Sequence, residues 1–233
     1  MAYDSSWATV NPASGSGSPS GVPTSWTATA RTGRSQRDTW AAYKAGTITR
    51  NVHIIQAGAA LALTTTNPNG GIATSGGRSA SLSIANTGGT ITISGNSNAK
   101  KITFSSLNDS QQDQSTVLPY TVPGTYTAAG SSASNGVNIT NDPGEVQSFA
   151  FSIALVISAN ETVNTLTSVF RIVAEGDNNE TVTLDITLTQ TAGDAYLFLN
   201  SKDNIQDVTI NLNDTGTPAQ TVTVISNTTW TIE

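Results

Sequence analysis

The chain has 233 residues, of which 36% are apolar and only 11% charged, with a formal net charge of −6 and no cysteine. The acidic balance argues against nucleic acid and anionic membranes as partners, and the lack of cysteine excludes disulfides and thiolate metal sites. Ser, Thr, Asn and Gly fill much of the remainder, which is typical of β-rich domains with polar turns.

The chain begins MAYDSSWATV, without the basic and apolar segments of a secretory signal. No apolar run in the sequence is long enough to span a membrane. We therefore expect a soluble chain that is not exported by the usual route.

Alternation of apolar and polar residues is the dominant pattern along the chain, and it predicts strands. FAFSIALVIS (149–158) predicts a central strand covered on both sides, with a buried helix as the alternative. Turn sequences rich in Asn, Asp and Gly recur at short intervals, which favours an all-β sandwich. The alternating segments are ITRNVHIIQ (48–56), TITIS (90–94), KITF (101–104), TVTLDITLTQ (181–190), VTINL (208–212) and TVTV (221–224).

Two of these strands end alike, which indicates an internal repeat. ITRNVHIIQAG ends in Gln56 and a short linker, and VTLDITLTQTAG ends in Gln190 and a similar linker. If the two glutamines close equivalent domains, residues 59–193 form one complete domain. Residues 1–58 and 194–233 are then two separate pieces.

The two pieces resemble, in complementary order, the BACON domain, an immunoglobulin-like sandwich of gut Bacteroidetes and their phages. YLFLN and VTINLNDTGTPAQTVTVISNTTWTIE (within 196–233) resemble its early part, including the SNxxWT strand. SSWATVNPASGSG (5–17), ARTGRSQRD (30–38) and GTITRNVHIIQ (46–56) resemble its later part. The middle domain matches only at its two ends, and 105–148 is expected to be an insertion.

The resemblance implies that 1–58 is the C-terminal half of a split domain and 194–233 its N-terminal half. Joined, they hold 98 residues, close to the size of an immunoglobulin-like domain. The predicted core of the joined domain is Trp7, Val10, Val52, Ile54, Val222, Val224, Trp230 and Ile232.

A half sandwich leaves an apolar face and an open strand edge in water, so the halves must meet. Both halves could close within one chain, as a circular permutant. Alternatively, one subunit could receive the half of a neighbour by strand complementation. We favour exchange between subunits, because same-chain closure would require the two domains to lie side by side and antiparallel.

No catalytic constellation, cofactor motif or metal site is predicted. His53 is the only histidine and lies within a strand, and GSGSPSG (15–21) lacks the Lys-Ser/Thr of a phosphate-binding loop. The acidic turns at Asp203/Asp207 and 177–180 lack the spacing of a calcium loop. We expect a non-enzymatic protein without cofactors.

The first piece also carries a possible partner or glycan surface. Aromatic rings suit stacking on sugars, and arginines suit docking on an acidic partner. The residues are Trp26, Trp40, Tyr43, Arg31, Arg34 and Arg37.

The resemblance and the split domain together favour a virion structural protein of a phage that infects gut Bacteroidales (crAss-like). It would be an auxiliary or decoration protein on the capsid surface or a head-fibre component, made in the host cytoplasm. Its expected partners are further copies of itself and the major capsid or other virion proteins. The alternative is an adhesion module that binds carbohydrate or mucin, with host or mucin glycans as ligands.

Overall fold

The structure is a computed structural model, and it describes residues 3–73, 78–108, 113–216 and 218–233. Nearly all regular structure in these residues is strand, apart from the four-residue helix α1 (Pro143–Val146) and two 3₁₀ turns, Gln114–Thr116 and Asp177–Asn179. The strands are β1 (Ala8–Asn11), β2 (Ser25–Ala28), β3 (Arg37–Ala45), β4 (Ile48–Gln56), β5 (Leu63–Asn67), β6 (Asn69–Ala73), β7 (Arg78–Ile84), β8 (Gly89–Ser97), β9 (Lys101–Ser106), β10 (Thr125–Ala128), β11 (Ser131–Ser134), β12 (Phe149–Ile157), β13 (Leu166–Glu175), β14 (Thr181–Gln190), β15 (Leu197–Leu199) and β16 (Val224–Ser226).

The strands within residues 59–193 form an immunoglobulin-like β-sandwich. One sheet has the strand order β11-β10-β12-β8-β5-β6 and the other β7-β14-β13-β9. Neighbouring strands are antiparallel except β7, which runs parallel to β14. The all-β prediction is confirmed.

The core of this sandwich comes from the alternating faces of the long central strands. Along β14 the apolar positions are buried and the threonines between them are partly exposed, because side chains of a strand point alternately to opposite faces. The fully enclosed side chains include Ile93, Ile153, Leu155, Phe170, Ile172, Leu184, Ile186 and Leu188.

The segment FAFSIALVIS is a strand and not a helix, but it is covered on one face only. In β12, Phe149, Phe151, Ile153, Leu155 and Ile157 are buried, whereas Val156 between the last two is 70% exposed. The expected cover on both sides is therefore corrected to one side. The opposite face carries small residues, so this run of apolar residues does not require a second layer of protein over that face.

The insertion predicted near 105–148 belongs to the sandwich and is not an appendage. Its described residues supply the β10–β11 hairpin to the larger sheet, and Leu118 and Tyr126 to the core. Residues 109–112 within it lie outside the described ranges.

The two outer pieces form only small sheets. In residues 3–58, β1 pairs with β2, and β3 pairs with β4. In 194–233, β15 pairs with β16, while the alternating segment 208–212 has no strand assignment. No helix in the described residues has the length and apolar character needed to cross a membrane.

Candidate assembly interface

The first piece is anchored to the sandwich by a buried arginine. The side chain of Arg34 is 2% exposed, and its Nη2 lies 2.6 Å from Oδ2 of Asp142. The guanidinium also donates to the carbonyl of Asn98 and to Asp177. Burial acts to lower the pKa of Arg34, but its hydrogen bonds to Asp142 and Asp177 outweigh burial and raise that pKa, so the group stays charged.

Asn98 closes the same junction with three hydrogen bonds. Its Oδ1 accepts from the Ala62 amide at 2.8 Å, and its Nδ2 donates to the carbonyls of Thr32 and Ala60 at 3.1 and 3.0 Å. The Ala59 amide donates to the Gly33 carbonyl at 2.8 Å. One side chain therefore joins a loop of the first piece, the linker and the sandwich.

The backbones at this junction approach too closely for any side chain. A Cβ built on Gly58 would lie 1.6 Å from the Arg34 carbonyl oxygen, and one on Gly144 would lie 2.2 Å from that of Asn98. Glycine is therefore required at both positions. The end of the sandwich that carries this junction is called the N pole.

The last piece is held at the opposite end of the sandwich, the C pole, by the same pattern. The Tyr196 amide donates to Oδ1 of Asn227 at 2.9 Å, and Nδ2 of Asn227 donates to the carbonyls of Glu161 and Asp194 at 2.7 and 2.9 Å. The Gly193 amide donates to the Thr162 carbonyl at 2.7 Å. Asn227 thus repeats, contact for contact, what Asn98 does at the N pole.

The serine before each asparagine repeats as well. Ser97 Oγ donates to the Ala62 carbonyl and accepts from the Ala99 amide. Ser226 Oγ donates to the Tyr196 carbonyl and accepts from the Thr228 amide. The last piece therefore begins with the same hydrogen-bond pattern as the sandwich.

The first piece ends in the way the sandwich ends. Arg37 pairs with Gln56 across β3 and β4, as Leu166 pairs with Gln190 across β13 and β14. The two glutamines also donate to equivalent carbonyls, of Thr29 and Ser158. Strands β3 and β4 are thus the structural counterparts of β13 and β14.

The two pieces lie at opposite poles of the sandwich. Each long strand runs from one pole to the other, and the ten residues of β13 correspond to about 30 Å. Within the described residues, no strand of 3–58 pairs with a strand of 194–233. The first piece, the sandwich and the last piece therefore follow one another in space in the same order as along the chain.

The predicted core residues of the split domain differ widely in exposure. Trp7 is buried, with the guanidinium of Arg37 4.5 Å from its ring centre. Val10, Ile54, Val222 and Val224 are half-buried, whereas Val52, Trp230 and Ile232 are exposed by 40%, 47% and 87%. The packing of these eight residues into one joined core therefore stays a prediction.

The six residues of the predicted surface do not form one site. Trp26 donates from Nε1 to the hydroxyl of Tyr43 at 3.0 Å. Trp40 lies on the other face of the β3–β4 ribbon, where its ring stacks on His53 with 4.1 Å between centres. The guanidinium of Arg34 is buried in the junction at the N pole, so it is not available to a partner. Arg31 donates to the carbonyls of Ser35 and Glu145, and Arg37 to Thr29 and Gln56.

The junction asparagines were not identified as site residues from the sequence. Both follow a serine in SNxx, at Ser97-Asn98 and Ser226-Asn227, so the repeated pair was the available signal. In the described residues there is no cluster of three or more His, Cys, Asp or Glu side chains that could hold a metal ion.

Comparisons with known proteins add a distant structural likeness. No protein-family model matches the sequence, and no curated protein matches it. Among solved structures, the chain is similar to the zebrafish RET cadherin-like domains 1 to 4, at 8% identity and a TM-score of 0.29. The match covers 82% of this chain and 49% of that one, so the chain spans about half the length of the matched structure.

Proposed function

We propose that the protein is a non-enzymatic structural protein whose copies join head to tail. The first piece of one copy and the last piece of the next together form an immunoglobulin-like domain. The observation that carries the proposal is the placement of the two outer pieces at opposite poles of one sandwich, without strand pairing between them in the described residues.

Exposed apolar side chains on both pieces support this assembly. On the first piece they are Ile48 and Val52, and on the last piece Ile205, Leu212 and Ile232, each at least 40% exposed. Burial stabilises by roughly 25 cal/mol per Å², so about 1,000 Å² would contribute on the order of 25 kcal/mol before ordering costs.

The charges of the two pieces are complementary. Apart from Arg34, which is paired at the N pole, residues 1–58 hold four Lys and Arg against two Asp, a net charge of +2. Residues 194–233 hold one Lys against five Asp and Glu, a net charge of −4. Opposite patches favour encounter between pieces of different kind and disfavour pairing of like pieces, which supports a head-to-tail order.

The setting that we propose is the virion of a phage of gut Bacteroidales. The protein would be an auxiliary or decoration protein on the capsid surface, or part of a head fibre, in contact with the major capsid or other virion proteins. This part of the proposal is supported by the BACON resemblance of the two pieces.

The first measurement is the solution mass of the full chain by light scattering across a dilution series. We expect a ladder of oligomers or a polymer that dissociates on dilution. Deleting residues 1–58 should leave monomers, and adding 1–58 in trans should restore order to the last piece. A monomer of 24.0 kDa at every concentration would contradict head-to-tail joining.

A glycan-binding role is the second candidate, favoured by one observation. Trp40 is 45% exposed and is held flat by stacking on His53, which itself contacts Asp38. A flat aromatic ring beside a carboxylate suits a sugar ring. Mucin glycans should then change the tryptophan fluorescence saturably, and Trp40→Ala should remove the change while Trp26→Ala keeps it. An unchanged spectrum would speak against this role.

A further inference from the structure

We infer that the segment 207–212 of one copy becomes a strand on the open edge of β4 in the next copy. The two strands run parallel, with Val208 opposite Val52, Ile210 opposite Ile54 and Leu212 opposite Gln56. The inference rests on the proposed head-to-tail joining and specifies the partner strand and its register.

The sandwich itself contains the template for this pairing. Its last strand, β14, carries β7 as a parallel neighbour, with Ala80 opposite Ile186, Leu82 opposite Leu188, and Ile84 opposite Gln190. Since β4 is the counterpart of β14, its matching edge is the place where a counterpart of β7 belongs. In the described residues β4 pairs only with β3, so that edge is open.

The segment 207–212 is the counterpart of β7 because the same turn follows both. The Gly88 amide donates to the Ala85 carbonyl at 3.0 Å, and the Gly216 amide donates to the Asn213 carbonyl at 3.0 Å. The two glycines have φ values of 67° and 68°. Counting back from these turns places Leu212 at the position of Ile84, Ile210 at that of Leu82, and Val208 at that of Ala80.

The side chains of the two edges match in this register. Residues at even positions share a face in β4, so Val52 and Ile54 lie on the face of the buried Ala41. The apolar Val208, Ile210 and Leu212 would join that face, and Asp207, Thr209 and Asn211 would point outward. A shift by one residue would bury the polar set instead, so the alternation itself selects the register.

The side-chain amide of Gln56 would stabilise the paired strands through hydrogen bonds. In the sandwich, Gln190 donates to the carbonyls of Ser158, Ala85 and Asn86, the last two just beyond β7. Gln56 already donates to Thr29, the counterpart of Ser158, at 2.8 Å. The counterparts of Ala85 and Asn86 are Asn213 and Asp214, which the neighbouring copy would bring to the same amide.

Engineered cysteines test the register directly, because the chain has no cysteine of its own. We would mix the full-length single variants His53→Cys and Thr209→Cys under mild oxidation, since the pairing of Thr187 with Ser81 places these two positions opposite each other. The expected product is a mixed disulfide dimer in high yield. The matched control is Thr49→Cys with Thr209→Cys, on the same face but about 13 Å out of register, which should cross-link at least ten-fold more slowly.

The possible outcomes distinguish the strand register from head-to-tail joining. Oligomers by light scattering without the in-register disulfide would overturn the register and leave head-to-tail joining in place. Equal yields from the test and control pairs would likewise overturn the register. A disulfide within one chain, in a variant that carries both His53→Cys and Thr209→Cys, would instead overturn head-to-tail joining and leave the pairing of the two strands in place. Monomers at every concentration would overturn both.

Discussion

Ile54→Asp is expected to abolish self-association. Ile54 lies in β4, on the face where the neighbour's Ile210 would pack, so the variant would place an unpaired carboxylate in the joined core. Burying such a charge costs several kcal/mol, and a loss of about 4 kcal/mol corresponds to a roughly 1,000-fold weaker dissociation constant. Sedimentation or light scattering of the variant should show monomers at concentrations where the native chain assembles.

Ile55→Asp is the matched control for this change. Ile55 is the next residue in β4, points to the opposite face and is 55% exposed. The Ile55→Asp variant should assemble with a dissociation constant within a few-fold of that of the native chain. The thermal transition of the 59–193 sandwich should be the same in both variants, and equal weakening by the two substitutions would contradict the assignment of the joining face.

Gln190→Ala is expected to destabilise the sandwich itself. Gln190 is 1% exposed, and its amide satisfies three carbonyls at the C pole. The Ala85 and Asn86 carbonyls keep the amides of Gly88 and Asn160 as donors, so the Ser158 carbonyl is the one that loses most. A buried carbonyl left without a donor costs roughly 1–3 kcal/mol, so we expect the free energy of unfolding to fall by about 2 kcal/mol. Chemical denaturation followed by circular dichroism measures this loss.

Gln56→Ala is the companion of that experiment at the other end of the chain. It should leave the unfolding of the sandwich unchanged and weaken self-association, because Gln56 closes the shared domain and not the middle one. If Gln56→Ala instead lowered the stability of the dissociated chain as much as Gln190→Ala does, the two glutamines would not have the roles assigned to them.

The alternation of residue types was sufficient to predict four of the ten described strands of the sandwich, β8, β9, β12 and β14. Ile91 and Ile93 in β8, and Val182 to Leu188 in β14, lie on the faces that their period of two indicates. The same pattern failed at VTINL, because a strand needs an edge to pair with as well as a pattern. Its counterpart β7 has β14 beside it, whereas 208–212 has no such neighbour among the described residues of this copy.

The candidate site was less predictable because it depends on distant contacts. Arg34 is separated from Asp142 and Asp177 by 108 and 143 residues, and no local pattern indicates that they meet. The grouping of Trp40 with Tyr43 could have been avoided from sequence alone, since three residues of separation in a strand place two side chains on opposite faces.

The equivalence of the Asn98 and Asn227 junctions has a consequence for what a joined array would look like. Every domain would follow the previous one with the same geometry, whether or not a subunit boundary lies between them, so subunit ends would not interrupt the rod. The true repeat would be two domains, because units of 135 and 98 residues alternate. At low resolution such a rod would show the spacing of a single domain, and only the β10–β11 hairpin on every second unit would reveal how long one subunit is.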